Sequence, residues 1–210
     1  MIKILIVDDH AIVREGLKQI LAEIPNMAVA DEACDGREAF EKVWNNEYDV
    51  VVLDISMPGA SGLEVLKQIK GVRPQLPVLI LSIHPEGQYA VRALRAGASG
   101  YLTKESAPDE LIAAVRKVSR GGKFVSSALA EKLAFDLEAG AYKPLHETLS
   151  DREYQVMCMI GSGKTVKKIA EELCLSPKTI STYRSRILEK MKMKSSAELT
   201  YYAIKHELVD

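Results

Sequence analysis

Residues Ile2–Val7 read IKILIV, an apolar, β-branched run broken by a single Lys. A strand with one wet face alternates apolar with polar residues. This one does not, so it suits burial on both faces. Two further runs have the same character: YDVVVLDI (Tyr48–Ile55) and LPVLILS (Leu76–Ser82). Helical stripes separate them. Val13, Leu17, Ile20, Leu21 and Ile24 recur on one helix face. Ala39, Phe40, Val43 and Trp44 repeat that spacing, as do Leu63, Val65, Leu66 and Ile69. MAVADEA (Met27–Ala33) and SGYLTK (Ser99–Lys104) supply two more strands, and a helix over residues 109–120 closes the series. Five successive βα units predict a doubly wound, five-stranded parallel α/β sheet.

Gly121-Gly122 ends the alternation. Residues 126–138 read as one isolated helix, and EAGAYKPLHET (Glu138–Thr148) reads as a linker. From Leu149 onward strand signals vanish. Four helical segments follow, near 151–161, 165–173, 177–191 and 195–206. The expected organisation is therefore a sheet domain over 1–120, a linker with one helix over 121–148, and an all-α four-helix domain over 149–210. Charge follows the same division. Residues 1–120 carry 14 Lys and Arg against 17 Asp and Glu, whereas residues 149–210 carry 11 against 8. An acidic front and a basic back suit different partners. Cys34, Cys158 and Cys174 have no C-x-x-C spacing, which argues against a zinc site or disulfide framework. No apolar run reaches the ~18–20 residues that a membrane span needs. The expected location is the cytoplasm, with no membrane partner.

The carboxyl ends of the strands carry the chemistry. In open parallel sheets ligands bind beyond those ends. Here the first strand runs into Asp8 and Asp9, the third ends on Asp54, the fourth on Ser82, and the fifth delivers Lys104. Three carboxylates at one rim repel one another, and a hard divalent cation relieves that repulsion. Mg²⁺ suits such a donor set and keeps positions open for phosphate oxygens. A hydroxyl and an ammonium beside it complete a phosphate cradle. Singly, each residue has a plain structural explanation; five at five corresponding strand ends do not.

ILIVDDH, VVLDISMPGASGLE, LILS and GYLTK resemble the receiver domain of bacterial two-component response regulators. The resemblance implies that Asp54 accepts a phosphoryl group from a phosphohistidine on a sensor histidine kinase. It implies one Mg²⁺ per receiver, held by Asp8, Asp9, Asp54 and the main-chain carbonyl of Ser56. Ser82 and Lys104 would bind phosphoryl oxygens, and Tyr101 would be the switch aromatic that turns inward as Ser82 moves. Three positions depart from the family pattern: Glu105 stands where Pro in a cis bond is frequent, Ile83 where Ala is frequent, and His84 lies near the rim.

TVKKIAEELCLSPKTISTYRSRILEKM (Thr165–Met191) has the layout of a helix-turn-helix. Thr165 can cap the first helix, and Ser176-Pro177 is a strong start signal for the second. Ile180, Tyr183, Ile187, Leu188 and Met191 form the expected inner stripe. The opposite face offers Lys178, Thr179, Ser181, Thr182, Ser185 and Arg186. Short hydroxyls let the backbone approach base edges, while cations meet phosphates. LSDRE, GKTVKKIAEELCLSPKTIST and RILEKMKMKSSAEL resemble the LuxR-type helix-turn-helix, and with a receiver they resemble the NarL/FixJ group. That resemblance places Ser181, Thr182 and Ser185 nearest the bases. It makes Lys178, Thr179, Arg184, Arg186 and Lys190 backbone contacts on double-stranded DNA. It also implies a homodimer on phosphorylation, with residues 195–206 as a dimer surface.

The expected function is a phosphorylation-controlled, DNA-binding transcription factor, not an enzyme. A Mg²⁺-dependent phosphohydrolase with an Asp nucleophile is the main rival. Such enzymes need a second Asp two residues on as general acid, and those places hold Ser56 and His10. A protein-binding helical tail is the other rival.

Overall fold

The computed structural model describes residues 1–138 and 144–209. It divides into two compact units, Met1–Leu133 and Ala134–Asp210. In the first, strands β1 (Ile2–Val7), β2 (Met27–Ala33), β3 (Val50–Asp54), β4 (Val78–Ser82) and β5 (Gly100–Thr103) form one sheet in the order β2-β1-β3-β4-β5. Every pairing is parallel. Helices α1 (Ala11–Ala22), α2 (Gly36–Asn45), α3 (Gly62–Val72), α4 (Glu86–Arg95) and α5 (Ala107–Ser119) alternate with the strands. The strand order reverses between β1 and β3, the switch point at which such sheets bind ligands.

The predicted double burial is realised. Ile4–Val7, Val50–Leu53 and Val78–Leu81 are all nearly inaccessible. Full burial of such side chains contributes ~1.5–3 kcal/mol each. The four apolar residues of β3 therefore supply roughly 6–12 kcal/mol, against the several kcal/mol that burying one carboxylate costs. A sheet this apolar can carry Asp54 at its end.

The strands are shorter than their apolar runs. Tyr48-Asp49 and Leu76-Pro77 lead into β3 and β4 without joining the ladder as strand residues. Each still has a specific bond: the Lys3 amide donates to the Asp49 carboxylate at 2.7 Å, and the Val51 amide donates to the Pro77 carbonyl at 2.9 Å.

The first unit continues past Gly121-Gly122. The Phe124 amide donates to the Ser99 carbonyl (2.9 Å), and the Phe124 carbonyl accepts from the Tyr101 amide (3.3 Å). Phe124 thus bridges to β5 and packs on the core. Helix α6 (Ser127–Glu138) follows; residues 139–143 of the expected linker lie outside the described residues. A 3₁₀ turn occupies Leu145–Thr148.

The second unit contains α7 (Asp151–Gly161), α8 (Val166–Glu172), α9 (Pro177–Lys190) and α10 (Ser196–Lys205). Their starts follow the sequence signals. Ser150 and Glu153 form a capping box on α7, while Thr165, Ser176 and Ser195 each accept an amide of their helix's first turn. Ile169, Ala170, Leu173, Ile180, Ile187, Met191 and Leu199 are buried. Tyr183 and Leu188 of the expected inner stripe are only half-buried. No helix of the described residues is long and apolar enough to cross a membrane.

One close approach sets where β3 ends. A Cβ on Gly62 would stand 2.2 Å from the Asp54 carbonyl oxygen and 2.6 Å from the Ile55 Cα. Both are backbone atoms, so neither yields. Gly62→Ala is therefore expected to destabilise the first unit by about 1–3 kcal/mol, measured by urea unfolding, as overpacked cores do.

Candidate functional site

The switch point between β1 and β3 brings Asp8 and Asp54 together, with Asp9 half-exposed beside them. Asp8 and Asp54 are each 1% exposed. β4 places Ser82 next to Asp54, and the chain leaving β5 returns Lys104, whose amide donates to the Ser82 carbonyl at 2.7 Å. The Lys104 Nζ stands 2.8 Å from Asp54 Oδ2 and 2.6 Å from Asp8 Oδ2. The other oxygen, Asp54 Oδ1, accepts the Ser56 amide at 2.9 Å. The Lys104–Glu105 peptide bond is trans, like every other among the described residues.

Burial pushes the Asp54 carboxyl above the usual carboxylate range, and the Asp8 charge adds to the rise. The Lys104 charge and hydrogen bond and the Ser56 amide oppose it without cancelling it. Burial also pulls Lys104 down, but Asp54 and Asp8 outweigh it and hold its ammonium above the usual lysine value. Lys104 thus stays a cation between two acids.

One ammonium does not balance three carboxylates. Asp8, Asp9, His10 and Asp54 bring four donor atoms within 4.8 Å of one another, the one such group among the described residues. Asp9 Oδ1 and Ser56 Oγ are buried without a hydrogen-bond partner. Buried polar atoms of that kind are uncommon and call for a ligand or a water. A mainly oxygen donor set with two net negative charges after Lys104 fits a hard divalent cation.

Ser82 is fully buried, and its Oγ accepts the His84 amide at 3.0 Å. Tyr101 is also fully buried and donates its hydroxyl to the His84 carbonyl at 2.9 Å. It therefore lies in the inward position. Burial raises the Tyr101 phenol further above its ordinary value, so it remains a donor. Ile83, which follows Ser82, is 66% exposed.

On the second unit, α8 and α9 form the helix-turn-helix, with Cys174 at the joint in a left-handed conformation (φ +52°). Lys178, Ser181, Thr182, Ser185 and Arg186 are exposed, and Thr179 is half-buried. The hydroxyls of Ser181, Thr182 and Ser185 donate to carbonyls one turn back, those of Pro177, Lys178 and Ser181, at 2.9–3.1 Å. In that arrangement they offer acceptor lone pairs outward. Two cations of the expected interface also work inside the unit. Lys190 Nζ lies 2.6 Å from Glu153 Oε2, and Arg184 Nε donates to Ser196 Oγ at 2.7 Å.

The receiver-like rim and the helix-turn-helix each match a family model. One, described as response regulator receiver domain, matches residues 4–116; the other, described as bacterial regulatory proteins of the luxR family, matches residues 147–203. The chain belongs to the response regulators. This regulator is similar to Response regulator UvrY of Escherichia coli strain K12, at 39% identity over 209 residues, covering 99% of this chain and 96% of that one. It is similar to Response regulator GacA of Pseudomonas aeruginosa, at 36% identity over 211 residues, covering 100% and 99%. Among solved structures it is similar to RcsB of Salmonella enterica serovar Typhimurium, bound to promoter rprA in the presence of the phosphomimetic BeF3-. That match has a TM-score of 0.64 and 25% identity, over 96% of this chain and 97% of that one.

The regulator's sequence left two groups of positioning residues unnoticed. Glu153 is buried in α7, and burial alone would raise its carboxyl. Lys190 and the Ser150 backbone and hydroxyl together outweigh that and hold it below the usual range. The signal was the S-x-x-E spacing of Ser150–Glu153, a capping box; nothing local pointed to Lys190. The second group is His146, Tyr154, Tyr202 and His206, whose rings meet, with His146 Nδ1 at 3.0 Å from the Tyr202 hydroxyl.

The raised Asp54 carboxyl makes a stability prediction. A group held above its unfolded value favours folding while protonated and loses that contribution as pH rises through its folded value. At pH 7 ionised Asp54 is thus a net burden. Asp54→Asn should stabilise the metal-free first unit at pH 7, read as a higher urea midpoint than the parent's. The gain should shrink toward pH 4, near the ordinary unfolded Asp value.

Proposed function

We propose that this response regulator takes a phosphoryl group on Asp54 and thereby controls its binding to promoter DNA. The observation that carries the reading is a buried carboxylate with an ammonium at 2.8 Å and a hydroxyl-bearing strand end beside it. The donor is a phosphohistidine of a sensor histidine kinase. An Asp54 oxygen attacks phosphorus, the P–N bond breaks, and the imidazole leaves with the electron pair and takes a proton from solvent. Asp54 becomes an acyl phosphate. Lys104 then pairs with a phosphoryl oxygen, and the Ser82 hydroxyl donates to another.

Asp8, Asp9, Asp54 and the main-chain carbonyl of Ser56 would hold Mg²⁺. Bound there, the ion supplies the positive charge that lets a phosphoryl group approach three carboxylates. Ser82 and Tyr101 both bond to His84, so a movement of Ser82 toward phosphate changes what holds Tyr101. This makes Tyr101 the reporter of the phosphorylation state.

The receiver is assigned to residues 1–120, the linker to 121–148 and the DNA-binding domain to 149–210. Lys178, Thr179, Arg184, Arg186 and Lys190 would meet the DNA backbone, and Ser181, Thr182 and Ser185 would face the bases. RcsB, the similar structure described above, is bound to a promoter, which supports this reading. Phosphorylation would favour a homodimer on paired half-sites in the cytoplasm. Turnover as a phosphohydrolase is not expected, since Ser56 stands where the general acid of such enzymes belongs.

Two measurements test the proposal. With labelled acetyl phosphate and Mg²⁺, the parent protein should take up about one phosphoryl group per chain, and Asp54→Asn essentially none. Equal labelling of the variant would refute the assignment. Separately, affinity for duplex DNA should fall steeply with salt. Neutralising one exposed cation, Lys178, with Ala should flatten the log–log slope by about one.

A further inference from the structure

His10 follows the two N-terminal acids and does not serve its own helix. It occupies the N-cap position of α1, where a side chain normally accepts a first-turn amide, yet it makes no such bond. The imidazole turns instead toward the acids. Its Nδ1 lies 3.2 Å from Asp8 Oδ1 and 3.0 Å from Asp9 Oδ1. One ring nitrogen carries at most one proton, so it cannot bond both. Only the Asp8 contact has hydrogen-bond geometry; Asp9 Oδ1, the nearer atom, has no hydrogen-bond partner at all.

Two acceptor atoms and a ring nitrogen at these spacings have a different common use. Adjacent donors on an octahedral cation, with bonds of ~2.0–2.1 Å, stand about 2.9 Å apart. The nitrogen is about one octahedral edge from each of two carboxylate oxygens, and it belongs to the four-residue group whose donors lie within 4.8 Å. At 60% side-chain exposure, the ring is not placed there by core packing.

We propose that His10 is a direct nitrogen donor to the cation held by Asp8, Asp9 and Asp54, and that it tilts the site from Mg²⁺ toward imidazole-binding transition metals. This rests on the reading of the acidic rim as a cation site. Carboxylates and carbonyls alone suit Mg²⁺ and Mn²⁺, whereas one imidazole raises affinity for Ni²⁺ and its neighbours far more than for Mg²⁺. The site then responds to which divalent ion is available, before any phosphoryl group arrives.

The test uses the full chain, free of metal, and its His10→Ala variant, each titrated with Mg²⁺ alone and with Ni²⁺ alone. Excess Mg²⁺ isolates the Ni²⁺ that occupies the acidic site. The variant should lose about tenfold or more in Ni²⁺ affinity at that site and change Mg²⁺ affinity by less than about threefold. With Mn²⁺ bound, pulsed electron paramagnetic resonance should show coupling to an imidazole nitrogen in the parent and none in the variant. Because His10 caps nothing and is exposed, the variant should keep the parent's circular dichroism. Metal binding without nitrogen coupling, or an unchanged Ni²⁺ to Mg²⁺ ratio, overturns the role of His10 and leaves the rim as an oxygen-only site. Absence of any divalent binding in the parent overturns the cation reading itself.

Discussion

The receiver rim depends on a repulsion held in check by Lys104. Asp8 and Asp54 are both buried, and their donor atoms lie within 4.8 Å of each other. Two unit charges at that spacing repel by about 3–4 kcal/mol at an effective dielectric near 20. The Lys104 ammonium touches both acids and removes most of that cost, but Asp9 remains. The result is a rim still short of positive charge. The cation proposed for this rim would meet that deficit. The dense apolar packing of β1, β3 and β4 keeps the acids in place despite their mutual repulsion.

The second unit solves a different problem, which is holding α9 with its outer face free. Glu153 does this from inside. It closes the capping box of α7 and pairs with Lys190 in the last turn of α9, where a cation also suits the helix dipole. Arg184 reaches Ser196 at the start of α10. These bonds sit toward the C-terminal half of α9. Its N-terminal half, with Lys178, Ser181 and Thr182, is left exposed. Helix-turn-helix proteins read bases from that end of the recognition helix.

Some of this was legible locally. Continuous β-branched runs announce strands buried on both faces, and Ser176-Pro177 announces the start of α9, because each signal involves neighbouring residues. The ends of β3 and β4 were less legible. Apolar residues at Leu76 and Pro77 extend the hydrophobic run, but ladder pairing, not hydropathy, decides where a strand begins. Phe124 reads as a linker residue after two glycines, yet its backbone pairs beside β5. Tyr183 looks apolar enough for the inner stripe of α9, but helix packing leaves it half-buried.

What the sequence determined by itself is the alternation of elements, the parallel sheet and the identity of the five polar strand ends, since periodicity and order along the chain set these. What only the tertiary structure decided is which charges meet. Lys104 touches Asp8 and Asp54, Lys190 turns to Glu153, Tyr101 lies inward on the His84 carbonyl, and His10 leaves its helix cap for two carboxylates. Electrostatic contacts fall off within a few ångströms and join residues far apart in the chain. Their geometry therefore exists only once the sheet order and the helix packing have brought those residues together.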